Sequence, residues 1–84
     1  MNHIKVLFFA TLRDSAGVRS LELDLEDHAT ARQLKSLLGT RFPATAQALE
    51  HCLVAINHEY SDEQTLIPPD AEVAFFPPVS GGQL

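Results

Sequence analysis

Between Asp27 and Arg41 the chain carries its one long helical signature, and on either side of it lie segments of strand length. Thr30-Ala31-Arg32-Gln33 fits a capping box, in which the Thr30 hydroxyl and the Gln33 amide satisfy exposed backbone groups at a helix start. Ala31, Leu34, Leu37 and Leu38 follow at helical spacing and form one apolar stripe, which needs a sheet to pack on. Pro43 disfavours helical geometry at Phe42, so the helix ends by Arg41, with Gly39 as an earlier stop.

The flanking segments supply that sheet. Ile4 to Ala10 is short, apolar and rich in β-formers, and reads as a largely buried strand. Thr11 to Gly17 contains turn formers and closes on glycine. Val18 to Glu26 alternates, with Leu21, Leu23 and Leu25 on one face and Ser20, Glu22, Asp24 and Glu26 on the other. Such a half-buried strand pairs with the first as an antiparallel hairpin. Ala44 to Glu50 adds a short second helical piece. Cys52 to Ile56 is a buried strand, Asn57-His58 a turn and Glu59-Tyr60 a brief strand. After a turn at Pro68-Pro69-Asp70, Ala71 to Phe76 forms the last strand. The order β-β-α-β-(β)-β implies a mixed sheet wrapped over one main helix, an α+β roll. Residues 1–76 form this body, and 77–84 form an extended C-terminal tail.

Eighty-four residues make one domain. A chain of this size buries only somewhat above ~60% of its unfolded surface, so it rests on one small nucleus. Hydrophobic residues at 45% and charged residues at 20% suit a globular fold rather than disorder. No apolar run approaches the ~20 residues that cross a bilayer, and Met1-Asn2-His3 leads directly into a strand, so a cytoplasmic location without membrane attachment is expected. The single Cys52 cannot form an internal disulfide, in keeping with a reducing compartment. The net charge of -5 is uneven: all six basic residues precede residue 42, and six acids with no Lys or Arg follow it. That field opposes nucleic acid. The acids either keep a small protein soluble or favour a partner with a basic face.

Strand alternation separates core aromatics from surplus ones. Ile4, Val6 and Phe8 share one face, and Lys5, Leu7 and Phe9 the other; Val73 and Phe75 oppose Glu72, Ala74 and Phe76. Phe9 and Phe76 therefore fall on the faces labelled by charge. If the first and last strands are neighbours, the two rings form an exposed patch that Tyr60 can join, a common mark of a partner site. Ordinary catalytic sets are absent: His3, His28, His51 and His58 show no metal-ligand spacing, and His51-Cys52 are neighbours in sequence and a poor nucleophilic pair. Cys52 reads as a small buried side chain. No metal site is expected.

The tail is the better candidate for chemistry. Pro77-Pro78 favours an extended segment, and Gly81-Gly82 lets backbone enter a space too narrow for side chains. Pro77 to Gly82 can reach at most roughly 20 Å from the body.

Ile4-Lys5-Val6-Leu7-Phe8-Phe9-Ala10 with Arg13, Val54-Ala55-Ile56-Asn57 with Tyr60, and Asp70-Ala71-Glu72-Val73-Ala74-Phe75-Phe76-Pro77-Pro78-Val79-Ser80-Gly81-Gly82 together resemble the small subunit of molybdopterin synthase, the MoaD family of ubiquitin-like β-grasp sulfur carriers. The resemblance spans nearly the whole chain. It implies that an E1-like adenylating enzyme activates the terminal glycine carboxylate with ATP and that a sulfur donor converts the acyl-adenylate to a thiocarboxylate. Docked on the large subunit, MoaE, such a carrier delivers sulfur to cyclic pyranopterin monophosphate, and the family assembly is a two-plus-two heterotetramer. Gly82 would carry the sulfur, with Val79, Ser80 and Gly81 as its guide and Phe9, Tyr60 and Phe76 at the partner interface. No permanently bound cofactor is implied.

Gln83-Leu84 departs from the family pattern, because it ties the Gly82 carbonyl into an amide. Three readings stand: a precursor trimmed by a peptidase, two added residues, or a carrier-like protein that no longer carries sulfur. The function classes are then a sulfur carrier for molybdenum cofactor, a carrier for another pathway or a protein modifier, and a non-catalytic β-grasp interaction module.

Overall fold

The computed structural model describes residues 1–77. The expected tail lies outside the described residues from Pro78 onward, and with it Val79, Ser80, Gly81 and Gly82.

Five strands form one mixed sheet in the order β2-β1-β5-β3-β4: β1 (Asn2–Phe8), β2 (Ser20–Leu25), β3 (Leu53–Ile56), β4 (Glu59–Ser61) and β5 (Glu72–Phe76). β1 and β2 pair antiparallel, as alternation implies, with Ile4 opposite Leu23 and Val6 opposite Leu21. β1 and β5 run parallel at the centre, Val6 beside Val73 and Phe8 beside Phe75. β3 pairs antiparallel with both β5 and β4. The β3–β4 turn at Asn57-His58 has positive φ at both residues, 51° and 71°, the handedness that suits a tight hairpin.

The chain from Phe9 to Arg19 is more than a turn. Thr11–Ala16 forms a short helix, α1, that buries Leu12 and stops at Gly17, whose φ of 80° is the left-handed geometry of a helix C-cap. Thr11-Leu12-Arg13-Asp14-Ser15-Ala16 carries only one apolar anchor of any size, so its periodicity was too short to distinguish helix from turn.

The main helix, α2 (Ala31–Arg41), begins as the capping box requires. The Gln33 N–H donates to Thr30 Oγ1 at 3.2 Å, and the Thr30 N–H donates to Gln33 Oε1 at 2.8 Å. Two more free donors of its first turn, those of Ala31 and Arg32, reach the carbonyls of Thr65 and Glu63. The helix continues through Gly39, where a Cβ would lie 3.3 Å from the Ala46 Cβ; the missing side chain lets α3 (Ala46–Glu50) approach closely. A single 3-10 turn over Pro43–Thr45 joins the two helices.

The expected stripe needs one correction. Ala31, Leu34 and Leu38 are buried, but Leu37 is 43% exposed and Lys35 takes the fourth inward position. Positions 31, 34, 35 and 38 follow i, i+3, i+4, i+7, whereas 37 is rotated off that face. Lys35 is tolerated there because its Nζ donates to the Cys52 carbonyl at 3.0 Å and to Glu63 Oε2 at 2.8 Å. That bond holds the Glu63 carboxyl below its usual range. Its folded-state pKa lies below its unfolded one, so the pair's contribution is full above the ordinary carboxylate range and is lost as pH falls through the folded value.

The core lies between α2 and one sheet face, with Ile4, Val6, Phe8, Val54, Val73 and Phe75 from the strands. Phe8 meets Phe42 edge to face at 5.8 Å. Leu34→Ala should cost about 2–5 kcal/mol in urea unfolding, and Leu37→Ala less than about 1 kcal/mol. Equal losses would return Leu37 to the core.

Candidate functional site

The other sheet face carries the surplus side chains. Because β1 and β5 run parallel and in register, Phe9 and Phe76, the residues just after the core pair Phe8 and Phe75, emerge together on that face. Their rings stack at 4.7 Å and 12°. Tyr60 of β4 approaches Phe76 at 6.1 Å with its ring tilted by 59°. The two rings read from alternation thus meet and Tyr60 joins them, although β4 is separated from β5 by β3. Tyr60 is 75% exposed and Phe9 40%, so neither is held by a second core.

The floor between them is made of small residues. Ala55 and Ala74 face away from α2, opposite one another in the β3–β5 ladder, yet both are buried. With Leu7 they form the base of a groove walled by Phe9 and Phe76 on one side and Tyr60 on the other. Leu53, paired with Phe76 in that ladder, extends the apolar surface. Residue-type reasoning found the walls and missed the floor. Alternation assigned Ala74 to this face, but nothing in the sequence marked the alanines as the base of a groove.

Charge frames this surface at the other end of the strands. Lys5 lies between Glu22 and Glu72 in the register, and His58 Nε2 is 3.3 Å from Glu72 Oε1. His3 bridges Glu22 at 2.7 Å and Asp24 at 3.2 Å, and these carboxylates hold its pKa above the usual imidazole value. Arg13 and Arg19 stand on the β1 side beside Leu7 and Phe9. The open face therefore runs from a charged end to an apolar end, and the apolar end is where β5 hands over to Pro77.

Cys52 and His51 lie outside the lining of this groove. Cys52 is buried, its Sγ–H donating to the Ala48 carbonyl at 3.1 Å; burial pushes its pKa up against the opposing pull of Lys35. Such a thiol stays protonated at neutral pH. His51 caps the end of α3 and points to solvent. Among the described residues no group of three His, Cys, Asp or Glu could hold a metal ion. What the geometry shows is an exposed groove with aromatic walls.

A five-stranded mixed sheet in this order, packed on one main helix, is the β-grasp roll of the ubiquitin-like carriers. The small archaeal modifier protein 1 of Haloferax volcanii superposes with a TM-score of 0.84 at 26% identity, over 94% of this chain and all of that one. A putative molybdopterin converting factor subunit 1 from Pyrococcus furiosus gives the same TM-score and identity, over 94% of this chain and 100% of that chain. Residues 6–82 match the ThiS family, and the chain belongs to that family. Among its relatives, the molybdopterin synthase sulfur carrier subunit of Haemophilus influenzae is 40% identical over 81 residues, covering 94% of this chain and 99% of the relative. That of Chlamydomonas reinhardtii is 39% identical over 82 residues, covering 94% and 98%.

Proposed function

We propose that this chain is the sulfur-carrier subunit of a molybdopterin synthase, with Gly82 as the group that carries sulfur. The observation that carries this reading is a conjunction: the family match extends through Gly82, and an exposed aromatic groove sits where β5 passes into the segment leading to that residue. The relatives named as molybdopterin synthase sulfur carrier subunits add their support at 32–40% identity.

Chemistry on this reading is divided between tail and body. A peptidase removes Gln83-Leu84 and exposes the Gly82 carboxylate. Within an E1-like adenylating enzyme a carboxylate oxygen attacks the α-phosphorus of ATP and pyrophosphate leaves; sulfur from a donor then displaces AMP to give the thiocarboxylate. Sulfur is the stronger nucleophile, and Val79, Ser80 and Gly81 guide it down a channel in the large subunit to cyclic pyranopterin monophosphate. The body supplies no acid, base or metal to these steps. ATP belongs to the activating enzyme, and the carrier holds no permanent cofactor. Phe9, Tyr60 and Phe76 dock on the large subunit, in a heterotetramer of two carriers and two large subunits located in the cytoplasm. A structure from Helicobacter pylori, a complex of subunits 1 and 2 of molybdopterin-converting factor, contains a chain of the same fold at 20% identity and a TM-score of 0.67.

A second reading is a ubiquitin-like protein modifier, favoured by the likeness to the archaeal modifier. The same activated carboxylate would then meet a lysine amine. A non-catalytic interaction module would use the groove alone.

Intact-protein mass spectrometry after expression with the native partners separates the three. The carrier reading expects loss of Gln83-Leu84 followed by exchange of one oxygen for sulfur. Conjugation to lysines would favour the modifier, and a chain that stays full length while binding its partner would favour the module. Phe76→Arg should weaken large-subunit binding by more than ~1 kcal/mol, the loss expected at an interface anchor; unchanged affinity would remove Phe76 from the interface.

A further inference from the structure

Two sheet edges are left among the described residues, and they differ. β4 is three residues long, whereas β2 is six and pairs only with β1. The Phe8 N–H donates to the Arg19 carbonyl at 2.8 Å, which sets the phase of the β1–β2 ladder. The antiparallel alternation then directs the backbone groups of Leu21, Leu23 and Leu25 toward β1, and those of Ser20, Glu22 and Asp24 off the edge. Those outward groups are a template for another strand.

Beside this edge lies a cleft between β2 and α2, remote from the aromatic groove. Leu25, Ala29, Gln33 and Leu37 line it, and Glu26 and Asp27 form its rim. Leu37, the residue that departs from the buried helical stripe, contributes a 43% exposed side chain here, and Leu21 is half-buried along the same strand. The distal half of the edge is acidic. Glu22, Asp24, Glu26 and Asp27 are opposed there by Lys5, by His3 when protonated, and by the Met1 amine 3.6 Å from Asp27; Arg19 stands at the opposite end, before Ser20. A second copy paired antiparallel about Glu22 or Leu23 would set these acids against one another, and like charges across a strand pair are destabilising.

We propose that the β2 edge accepts an extended segment of a partner protein as a sixth strand. Apolar side chains at alternate positions face Leu21 and Leu37, and lysines or arginines between them lie beside Glu22 and Asp24. Main-chain hydrogen bonds to Ser20, Glu22 and Asp24 supply the attachment, and the acidic rim selects a basic segment. The site is independent of the aromatic groove, so both can be occupied together.

The test uses the full chain labelled with nitrogen-15 and, as probe, a short acetylated and amidated peptide of alternating valine and lysine. Saturable shifts should centre on the amides of Ser20, Glu22, Asp24 and Leu37, and Leu37→Asp should weaken binding at least tenfold. Methylating alternate backbone nitrogens of the probe, which leaves the protein untouched, should also cost at least tenfold. Equal binding of the methylated probe, or of a valine-glutamate peptide, would overturn the proposal. So would absence of binding, shifts centred on Phe9, Tyr60 and Phe76, or self-association of the chain through this edge.

Discussion

The parallel pairing of β1 with β5 is the constraint on which the rest depends. A Phe-Phe doublet closes β5 and spans the end of β1, where Phe9 is the first residue past the strand, and the register places Phe8 beside Phe75. Because successive strand residues point to opposite faces, one ring of each doublet enters the core and the other leaves it. Inside, Phe8 and Phe75 lie 6.4 Å apart against the helical layer; outside, Phe9 and Phe76 stack at 4.7 Å. A slip of one residue in either strand would put a core ring on the surface and a surface ring in the core. Burial of the inner pair therefore fixes the position of the outer pair, and the core and the exposed aromatic groove are set by the same register.

Much of this was legible in the residues, for reasons that can be named. Leu21, Leu23 and Leu25 alternate cleanly with acids, and β2 faces as they imply. Thr30 and Gln33 form the box their spacing allows. What escaped was set by tertiary context. Lys35 is inside because Glu63, distant in sequence, and the Cys52 carbonyl receive its ammonium; the displaced Leu37 then lies on the surface. Ala55 and Ala74 gain a role as a groove floor only because Phe76 and Tyr60 stand over them. Alternation cannot report which strands become neighbours, so the meeting of Tyr60 with Phe76 was conditional on a sheet order only the fold supplies. Sequence assigned the groove's walls more readily than its floor because large apolar side chains on a charged face stand out and alanines do not.

On the proposed reading the body holds and presents while the terminus reacts. A carrier activated by another enzyme requires a recognisable surface and an accessible carboxylate. The open face is graded from Lys5, Glu22 and Glu72 at one end to Phe9, Leu53 and Phe76 at the other. Charge of this kind orients an approaching partner, and the apolar end supplies the contact area. The β2 edge lies at the far side of the sheet from Tyr60, so a strand added there leaves the groove free.

The central claim is that the reactive group is the carboxylate of Gly82, blocked while Gln83-Leu84 remains attached. ATP–pyrophosphate exchange catalysed by the cognate adenylating enzyme tests it most directly, with the full chain compared against a chain ending at Gly82. The account predicts exchange with the chain ending at Gly82 and none with the full chain. Equal exchange by a full chain that mass spectrometry shows to be uncleaved would contradict it.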